Sequence, residues 1–187
     1  MKVILETPFK NENKQIFIDN YLYTNAVARK LMKEDDVSSL FFHTFYTQFL
    51  NDNIPEERDL GLMSSFNYHS DADYKLYAID RGLSHGMILG AKDAIEKDIP
   101  IQFYTVLPHN SDVSKMLSAI NRTRRSIVRL DLAIKYVEEL KQKEFAINDK
   151  TGKITDYESS LSDHVSQVKD CLTEFFTPLI ESLKEPK

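Results

Sequence analysis

The chain has 187 residues, of which 28% are charged and 42% hydrophobic, and its net charge is −5. This composition is typical of a globular protein and excludes a disordered chain. The excess of acids argues against general nucleic-acid binding, which needs Lys and Arg to neutralise phosphates. The single cysteine, Cys171, excludes an internal disulfide and a multi-cysteine zinc site. The sequence has no apolar run of about 20 residues and no signal-peptide pattern, so we expect a cytoplasmic protein that does not enter a membrane.

The first part of the chain alternates between short apolar runs and helical patterns. The run over 2–7 stops at Pro8 and predicts a buried strand. Apolar residues spaced as in a helix follow over 11–34, and a second strand is predicted over 37–42. Pro55 and the two acids after it predict the start of another helix, because proline and acidic side chains both favour the first turn.

Two further strands are predicted over 74–80 and 101–106, separated by a helix that Ser84 caps and that runs to about Lys97. The order β-α-β-α-β-α-β predicts an α/β fold, a Rossmann-like parallel sheet with flanking helices. Ligands of such sheets bind beyond the carboxyl ends of the strands. We therefore expect a binding site where the connections that follow these strands meet.

The second half of the chain has a different pattern and predicts a C-terminal helical extension. One long helix is predicted over 112–144, a short hairpin or loop over about 145–157, and a second long helix over 159–183. We therefore expect an α/β domain at 1–109 and an extension at 110–187. Both helices carry wide apolar faces, which must pack on each other, on the first domain or on another subunit. The last option predicts a homo-oligomer formed through residues 110–187.

The turn between the third strand and the next helix is the first candidate for ligand binding. A helix N-terminus presents free N–H groups and the positive end of the helix dipole. In the turn over 80–87, Ser84 adds a hydroxyl and Gly86 lets a ligand approach the backbone. These features suit a phosphate or a sugar hydroxyl, although many capped turns of this kind bind nothing.

The connection over 43–61 is the second candidate, because it is rich in side chains that bind ligands. Its aromatic rings, Tyr46 among them, can stack on a base, and Arg58 can bind an anion with its two-pronged guanidinium. His43 and Gln48 add polar groups. The alternative is a loop that packs its rings into the core and leaves its charges in water.

Three blocks, at 1–9, 43–61 and 82–104, carry a resemblance to a known family. They contain Lys-Val-Ile-Leu-Glu-Thr-Pro-Phe, Pro-Glu-Glu-Arg-Asp-Leu-Gly, and Ser-His-Gly-Met followed by Asp-Ile-Pro-Ile-Gln-Phe-Tyr. In order and spacing they resemble the nucleoside 2-deoxyribosyltransferase-like superfamily of small bacterial and phage proteins. The resemblance covers about residues 1–107. It implies a protein that binds a nucleoside or nucleotide and that cleaves or exchanges its N-glycosidic bond.

The resemblance also assigns roles to individual positions. Ser84 matches the serine that binds the sugar or phosphate end, but Gly90 occupies the position of the family's glutamate nucleophile. Glycine cannot act as a nucleophile. Asp80 is the candidate to replace it, with a turn-forming aspartate as the alternative. Phe9 stands where the family frequently has a tyrosine, so the ring is kept without its hydroxyl.

Two functions follow from this combination. The first is an N-glycosidic bond hydrolase or transferase in which Asp80, or an acid that the sequence does not identify, replaces the missing catalytic glutamate. The second is an inactive nucleotide-sensing or protein-interaction module, such as a phage or plasmid accessory protein. Neither requires a cofactor; a metal site formed by His43, His85 and Asp80 is a less favoured alternative. The candidate ligand-binding residues are Pro8, Phe9, His43, Tyr46, Gln48, Arg58, Asp80, Ser84, His85, Gly86 and Met87.

Overall fold

The computed structural model of the protein describes residues 1–34, 37–107 and 109–151. Within these ranges, four strands, β1–β4, span Lys2–Glu6, Ser38–Leu40, Tyr74–Ala78 and Ile101–Tyr104. The same ranges contain six α-helices, α1–α6, which span Lys14–Glu34, Phe42–Phe45, Pro55–Phe66, His85–Glu96, Asp112–Asn121 and Ser126–Thr151. Short 3₁₀ turns lie at Tyr46–Gln48 and His69–Asp71. Among the described residues, no helix has both the length and the apolarity to cross a membrane.

The strands form one parallel sheet in the order β2-β1-β3-β4. This confirms the predicted Rossmann-like α/β fold, and each strand lies within the range that the sequence predicts. The chain leaves β1 towards one side of the sheet and β3 towards the other. The carboxyl ends of β1 and β3 therefore bound a switch-point crevice, which is the usual ligand site of such sheets.

Side chains of alternate strand residues pack on opposite faces of the sheet. Val3 and Leu5 of β1 pack on one face with Tyr23, Val27 and Leu31 of α1. The opposite face packs Tyr77 and Phe103 against apolar residues of α4, α5 and α6, namely Met87, Ala91, Ala94, Leu117, Leu130, Ala133 and Val137. The described part of the predicted extension therefore shares a hydrophobic core with the sheet, and the division into two domains at residue 110 stays a prediction.

The helical half differs from the sequence prediction. The long helix expected over 112–144 is two helices, because α5 ends at Asn121 and α6 begins at Ser126. Helix α6 then continues to Thr151, through the start of the loop that was expected over 145–157. The remainder of that loop, the helix predicted over 159–183 and Cys171 lie outside the described residues.

Candidate functional site

The first connection of the site follows β1 and is fixed by helix α1. The Asn20 side-chain amide donates a hydrogen bond to the Phe9 carbonyl at 3.1 Å, which sets the turn over Pro8 and Phe9. The Thr7 hydroxyl lies 2.5 Å from that of Thr24 and 2.9 Å from Nε2 of His43. This turn is thus tied both to α1 and to the segment after β2.

The second connection, over 43–61, is largely helical and not a loop. It contains α2, a 3₁₀ turn and the first half of α3, which begins at Pro55 with two acids in its first turn. The Phe9 and His43 rings meet edge to face, with their centroids 5.4 Å apart. Burial lowers the pKa of the His43 imidazole, and Lys75 adds to this effect while Glu6 opposes it. A neutral His43 is therefore the form that lines the site.

The third connection leads from β3 into helix α4. The start of this helix has a hydrogen-bonded cap residue and two free backbone amides. The Ser84 hydroxyl accepts from Met87 N–H at 3.3 Å, and Ser84 N–H lies 3.4 Å from the Met87 sulfur. The N–H groups of His85 and Gly86 have no hydrogen-bond partner in the described part of the chain. Such amides at the positive end of a helix dipole are suited to an anion.

Arg58 of α3 is held over this helix start. Its Nη1 lies 2.6 Å from Oδ2 of Asp52, and its Nη2 lies 3.7 Å from the position of a Cβ on Gly86. Lys10 donates to the Asp52 carbonyl at 2.7 Å and adds a second cation to the same side. Asp52 therefore orders the Arg58 guanidinium through its carboxylate and the Lys10 ammonium through its carbonyl.

These three connections enclose a cavity of about 290 Å³ at the switch-point edge of the sheet. Eight of the predicted ligand-binding residues line it: Phe9, His43, Tyr46, Arg58, Ser84, His85, Gly86 and Met87. Pro8 and Gln48 do not line it; Gln48 donates to the Thr44 carbonyl at 3.3 Å and borders a neighbouring groove. The convergence of distant segments that was expected at this edge is therefore observed.

Asp80, the candidate catalytic residue, does not line the cavity. It is 7% exposed and accepts hydrogen bonds from Tyr23 O–H, from the Thr105 hydroxyl and, at 3.1 Å, from Val106 N–H. Burial raises the pKa of the Asp80 carboxyl, although these hydrogen bonds act in the opposite direction. This geometry ties β3 to α1 and to the end of β4, which is a structural role. No set of three or more metal-ligating side chains occurs among the residues that the structure describes.

A polar cluster that begins at Glu6 and continues behind the cavity is absent from the sequence-based list. Glu6 lines the cavity, and its carboxylate pairs with Lys75, whose side chain is completely buried in β3. His69 is buried and bonded to Asp93 and to Lys75. A lysine inside an otherwise apolar strand is the one signal in the sequence that could have revealed this cluster.

A family model described as Domain of unknown function (DUF7768) matches residues 1–104, more than half of the chain. The chain belongs to this family. The matched range of this DUF7768 member ends with β4 and therefore includes all four strands and the whole cavity. No curated protein and no solved structure is significantly similar to the chain.

Proposed function

We propose that the protein binds a nucleoside or nucleotide in the cavity at the switch-point edge. One observation carries the proposal: a single cavity brings together the Arg58 guanidinium, the free amides of His85 and Gly86, and several aromatic rings. The first two features suit a phosphate, and aromatic rings suit a base. The resemblance to nucleoside deoxyribosyltransferases supports the same class of ligand.

The cation-bearing end of the cavity is the expected phosphate subsite. Arg58 is preorganised by its 2.6 Å pair with Asp52, so its second nitrogen remains available near Gly86. Charge-assisted hydrogen bonds to a phosphate are about twice as strong as neutral ones, and two helix amides can share the same anion. The protein can therefore bind an anion at this subsite although the net charge of the whole chain is negative.

The aromatic side of the cavity is the expected base subsite. Phe9, Phe42 and Tyr46 line it together, and Phe42 and Tyr46 stack with centroids 5.8 Å apart. Rings that are already packed on one another lose little conformational freedom when a further ring joins them. We expect the base to stack on Phe9 or Tyr46.

Cleavage of the N-glycosidic bond is the second candidate function, and a carboxylate in the cavity favours it. Such cleavage needs a carboxylate near the sugar. Gly90 cannot supply it and Asp80 lies outside the cavity, whereas Glu6 lines it. Free base released from a deoxynucleotide, measured by chromatography, separates an enzyme from a module that only binds.

We further propose that the protein acts in the cytoplasm, where free nucleotides are found, and as a homo-oligomer.

A pair of helix-cap variants tests the binding proposal. Ser84→Asp keeps a side-chain oxygen at the N-cap, so the helix start is preserved, but it adds a negative charge beside the phosphate subsite. We expect this variant to weaken the binding of 2′-deoxynucleoside 5′-monophosphates by roughly tenfold or more in calorimetric titrations.

The matched control is Ser111→Asp. Ser111 caps α5 with the same hydrogen bond, to Ser114 N–H, and it does not line the cavity. This control should bind as tightly as the natural protein. Equal affinity for Ser84→Asp and Ser111→Asp would place the ligand elsewhere, and no binding of any of the four deoxynucleotides to the natural protein would refute the proposal.

A further inference from the structure

Lys75 is a fully buried cation whose three protons are all used. Its Nζ lies 2.7 Å from Oε1 of Glu6, 2.9 Å from Nε2 of His69 and 3.3 Å from the Gly90 carbonyl. An ammonium has three donors and no acceptor, so this set satisfies it completely. The side chain therefore has no free donor with which to contact a ligand, and its role lies in the groups that it holds.

His69 and Asp93 form a hydrogen-bonded chain that fixes the position of the Lys75 ammonium. Lys75 can only donate, so Nε2 of His69 must accept, and the proton of the imidazole is on Nδ1. That nitrogen lies 2.6 Å from Oδ2 of Asp93. Burial and the nearby Lys75 lower the pKa of His69 to about 4, which agrees with a neutral ring. Residues from β1, the 3₁₀ turn before β3, β3 and α4 thus fix one ammonium.

The group that this network presents to the cavity is the Glu6 carboxylate. Its side chain is 19% exposed, and Oε2 has no hydrogen-bond partner among the described residues. The Tyr77 hydroxyl is also buried, 3.7 Å from the position of a Cβ on Gly90, and has no hydrogen-bond partner within the described part of the chain. Burying an ammonium costs several kcal/mol before its interactions are counted. In this protein the buried ammonium holds the Glu6 carboxylate in place, so that its Oε2 atom is a fixed acceptor in the cavity.

The position of this acceptor relative to Arg58 identifies the ligand group. A Cβ on Gly86 would stand 3.7 Å from Nη2 of Arg58, and one on Gly90 would stand 3.4 Å from Oε1 of Glu6. Gly86 and Gly90 are four residues apart on α4, so they share one face and are separated by about 6 Å along the axis. A cation and a carboxylate therefore follow one another along the same helix face, one turn apart. A ligand that meets both groups therefore carries an anionic group and, further along the same helix face, a hydrogen-bond donor, as a pentose 5-phosphate does with its phosphate and its ring hydroxyl.

We propose that Glu6 accepts a hydrogen bond from the sugar hydroxyl of a bound nucleoside 5′-monophosphate, whose phosphate lies between Arg58 and the start of α4. The inference rests on the proposed function and narrows its ligand to a 5′-monophosphate with a free ring hydroxyl. Lys75 is the positioning residue, since it touches Glu6 and not the ligand. Gly90 leaves room for this lysine. A Cβ at residue 90 would lie 2.9 Å from Nζ of Lys75, so any other side chain there would compete with the ammonium for space.

Ligand analogues test the inference on the unaltered protein. The 2′-deoxynucleoside 5′-monophosphate that binds best is compared with its 2′,3′-dideoxy counterpart, which has no ring hydroxyl. Loss of one hydrogen bond to a charged acceptor should weaken binding by roughly tenfold or more. In a base-free comparison, 2-deoxyribose 5-phosphate should bind more tightly than inorganic phosphate. Equal affinities for the deoxy and dideoxy nucleotides would overturn the inference and leave the proposed function intact, whereas no nucleotide binding would refute the function itself.

A double variant assigns the discrimination to Glu6. Glu6→Met with Lys75→Met replaces the ion pair by apolar groups of similar size that cannot accept a hydrogen bond from the hydroxyl, a change that buried pairs generally tolerate better than loss of one partner. We expect this variant to bind the deoxy and dideoxy nucleotides about equally, because the coupling between carboxylate and hydroxyl is lost. The control Glu56→Gln neutralises an exposed acid at the start of α3, outside the cavity, and should discriminate as the natural protein does. Discrimination that persists in the double variant would show that another group reads the hydroxyl.

Discussion

At the scale of single residues, the structure places the Glu6 carboxylate in the cavity and the Asp80 carboxylate outside it. Asp80 ends a strand beside a glycine turn, which is typical of a ligand-binding aspartate, yet its partners Tyr23 and Val106 lie 57 and 26 residues away in the chain. Such long-range partners are invisible to local reasoning. Glu6, in contrast, was not among the candidate residues, and it lines the cavity.

The Lys75–Glu6 pair follows from strand register, which the sequence does not reveal. Lys75 pairs with Ile4 across the β1–β3 ladder, and Glu6 is two residues beyond Ile4, so both charged side chains emerge on the same face. A shift of one residue would place them on opposite faces. The presence of a buried lysine was therefore detectable from the strand pattern, but its partner was not.

The neutral state of His69 gives a prediction about pH. Its folded-state pKa of about 4 lies below the ordinary value of 6.5, so between these two values the unfolded chain binds more protons. The stability that His69 provides is therefore complete above pH 6.5 and is lost as the pH falls towards 4. The expected loss is about 3 kcal/mol of unfolding free energy. Lys75, Asp93, Glu6 and the Phe66 ring are the groups that face the imidazole.

Glutamine at this position isolates the effect of the imidazole. In His69→Gln the amide can still donate to Asp93 and accept from Lys75, but it does not titrate. Urea denaturation between pH 4 and 7 should show a flatter stability profile for His69→Gln than for the natural protein. The control His109→Gln, at an exposed histidine, should keep the natural profile. If His69→Gln also keeps the natural profile, the acid sensitivity arises at other groups.

At the scale of elements, the capped helices were predictable and the break between α5 and α6 was not. Ser84 and Pro55 act locally, so their signals are contained in a few residues. The break follows instead from a contact with the sheet edge: Asn121 accepts from Phe103 N–H and donates to the Phe103 carbonyl, both at 2.8 Å. Arg129 also holds this corner, because it donates to the backbone carbonyls of Thr123 and Ile101. Neither glycine nor proline marks this corner.

We therefore expect Asn121 to contribute more to the stability of the protein than its position at a helix end suggests. Asn121→Ala leaves both Phe103 backbone groups on the edge strand without their partner, and we expect a loss of about 2 kcal/mol in unfolding free energy. Thermal and urea unfolding measure this loss. Arg124→Ala, at an exposed neighbour in the same corner, should change stability by no more than about 0.5 kcal/mol. Similar effects for the two variants would mean that water replaces the asparagine at the strand edge.

At the scale of the whole molecule, the fold class was predictable because it depends on pattern and not on detail. Strands that alternate with helices allow few arrangements other than a parallel sheet. Strand order was not predictable, and the order places β1 beside β3, which creates the switch point and its cavity. The identity of the cavity-lining segments was therefore accessible in advance, while the polar network beneath them required the assembled sheet.

Self-association through residues 110–187 is the remaining prediction at this scale. In the described part of that region, large apolar side chains stay exposed although α5 and α6 pack on the sheet: Met116, Ile127, Val128 and Leu132 are each 38–46% exposed. Met116 and Leu132 border one groove between the two helices. Exposed apolar side chains that share a groove favour association, because burial removes their surface from water.

Sedimentation velocity at micromolar concentration should therefore detect a dimer or a larger species. The double change Met116→Glu and Leu132→Glu places two charges in the groove and should shift the protein to monomer, because burying unpaired carboxylates is costly. Phe49→Glu is the matched control, since Phe49 is equally apolar and 63% exposed but lies in the connection after β2. If Phe49→Glu dissociates the protein and the groove variant does not, the interface lies beside the ligand cavity. A natural protein that sediments as a monomer would mean that the apolar faces of residues 110–187 are covered within one chain.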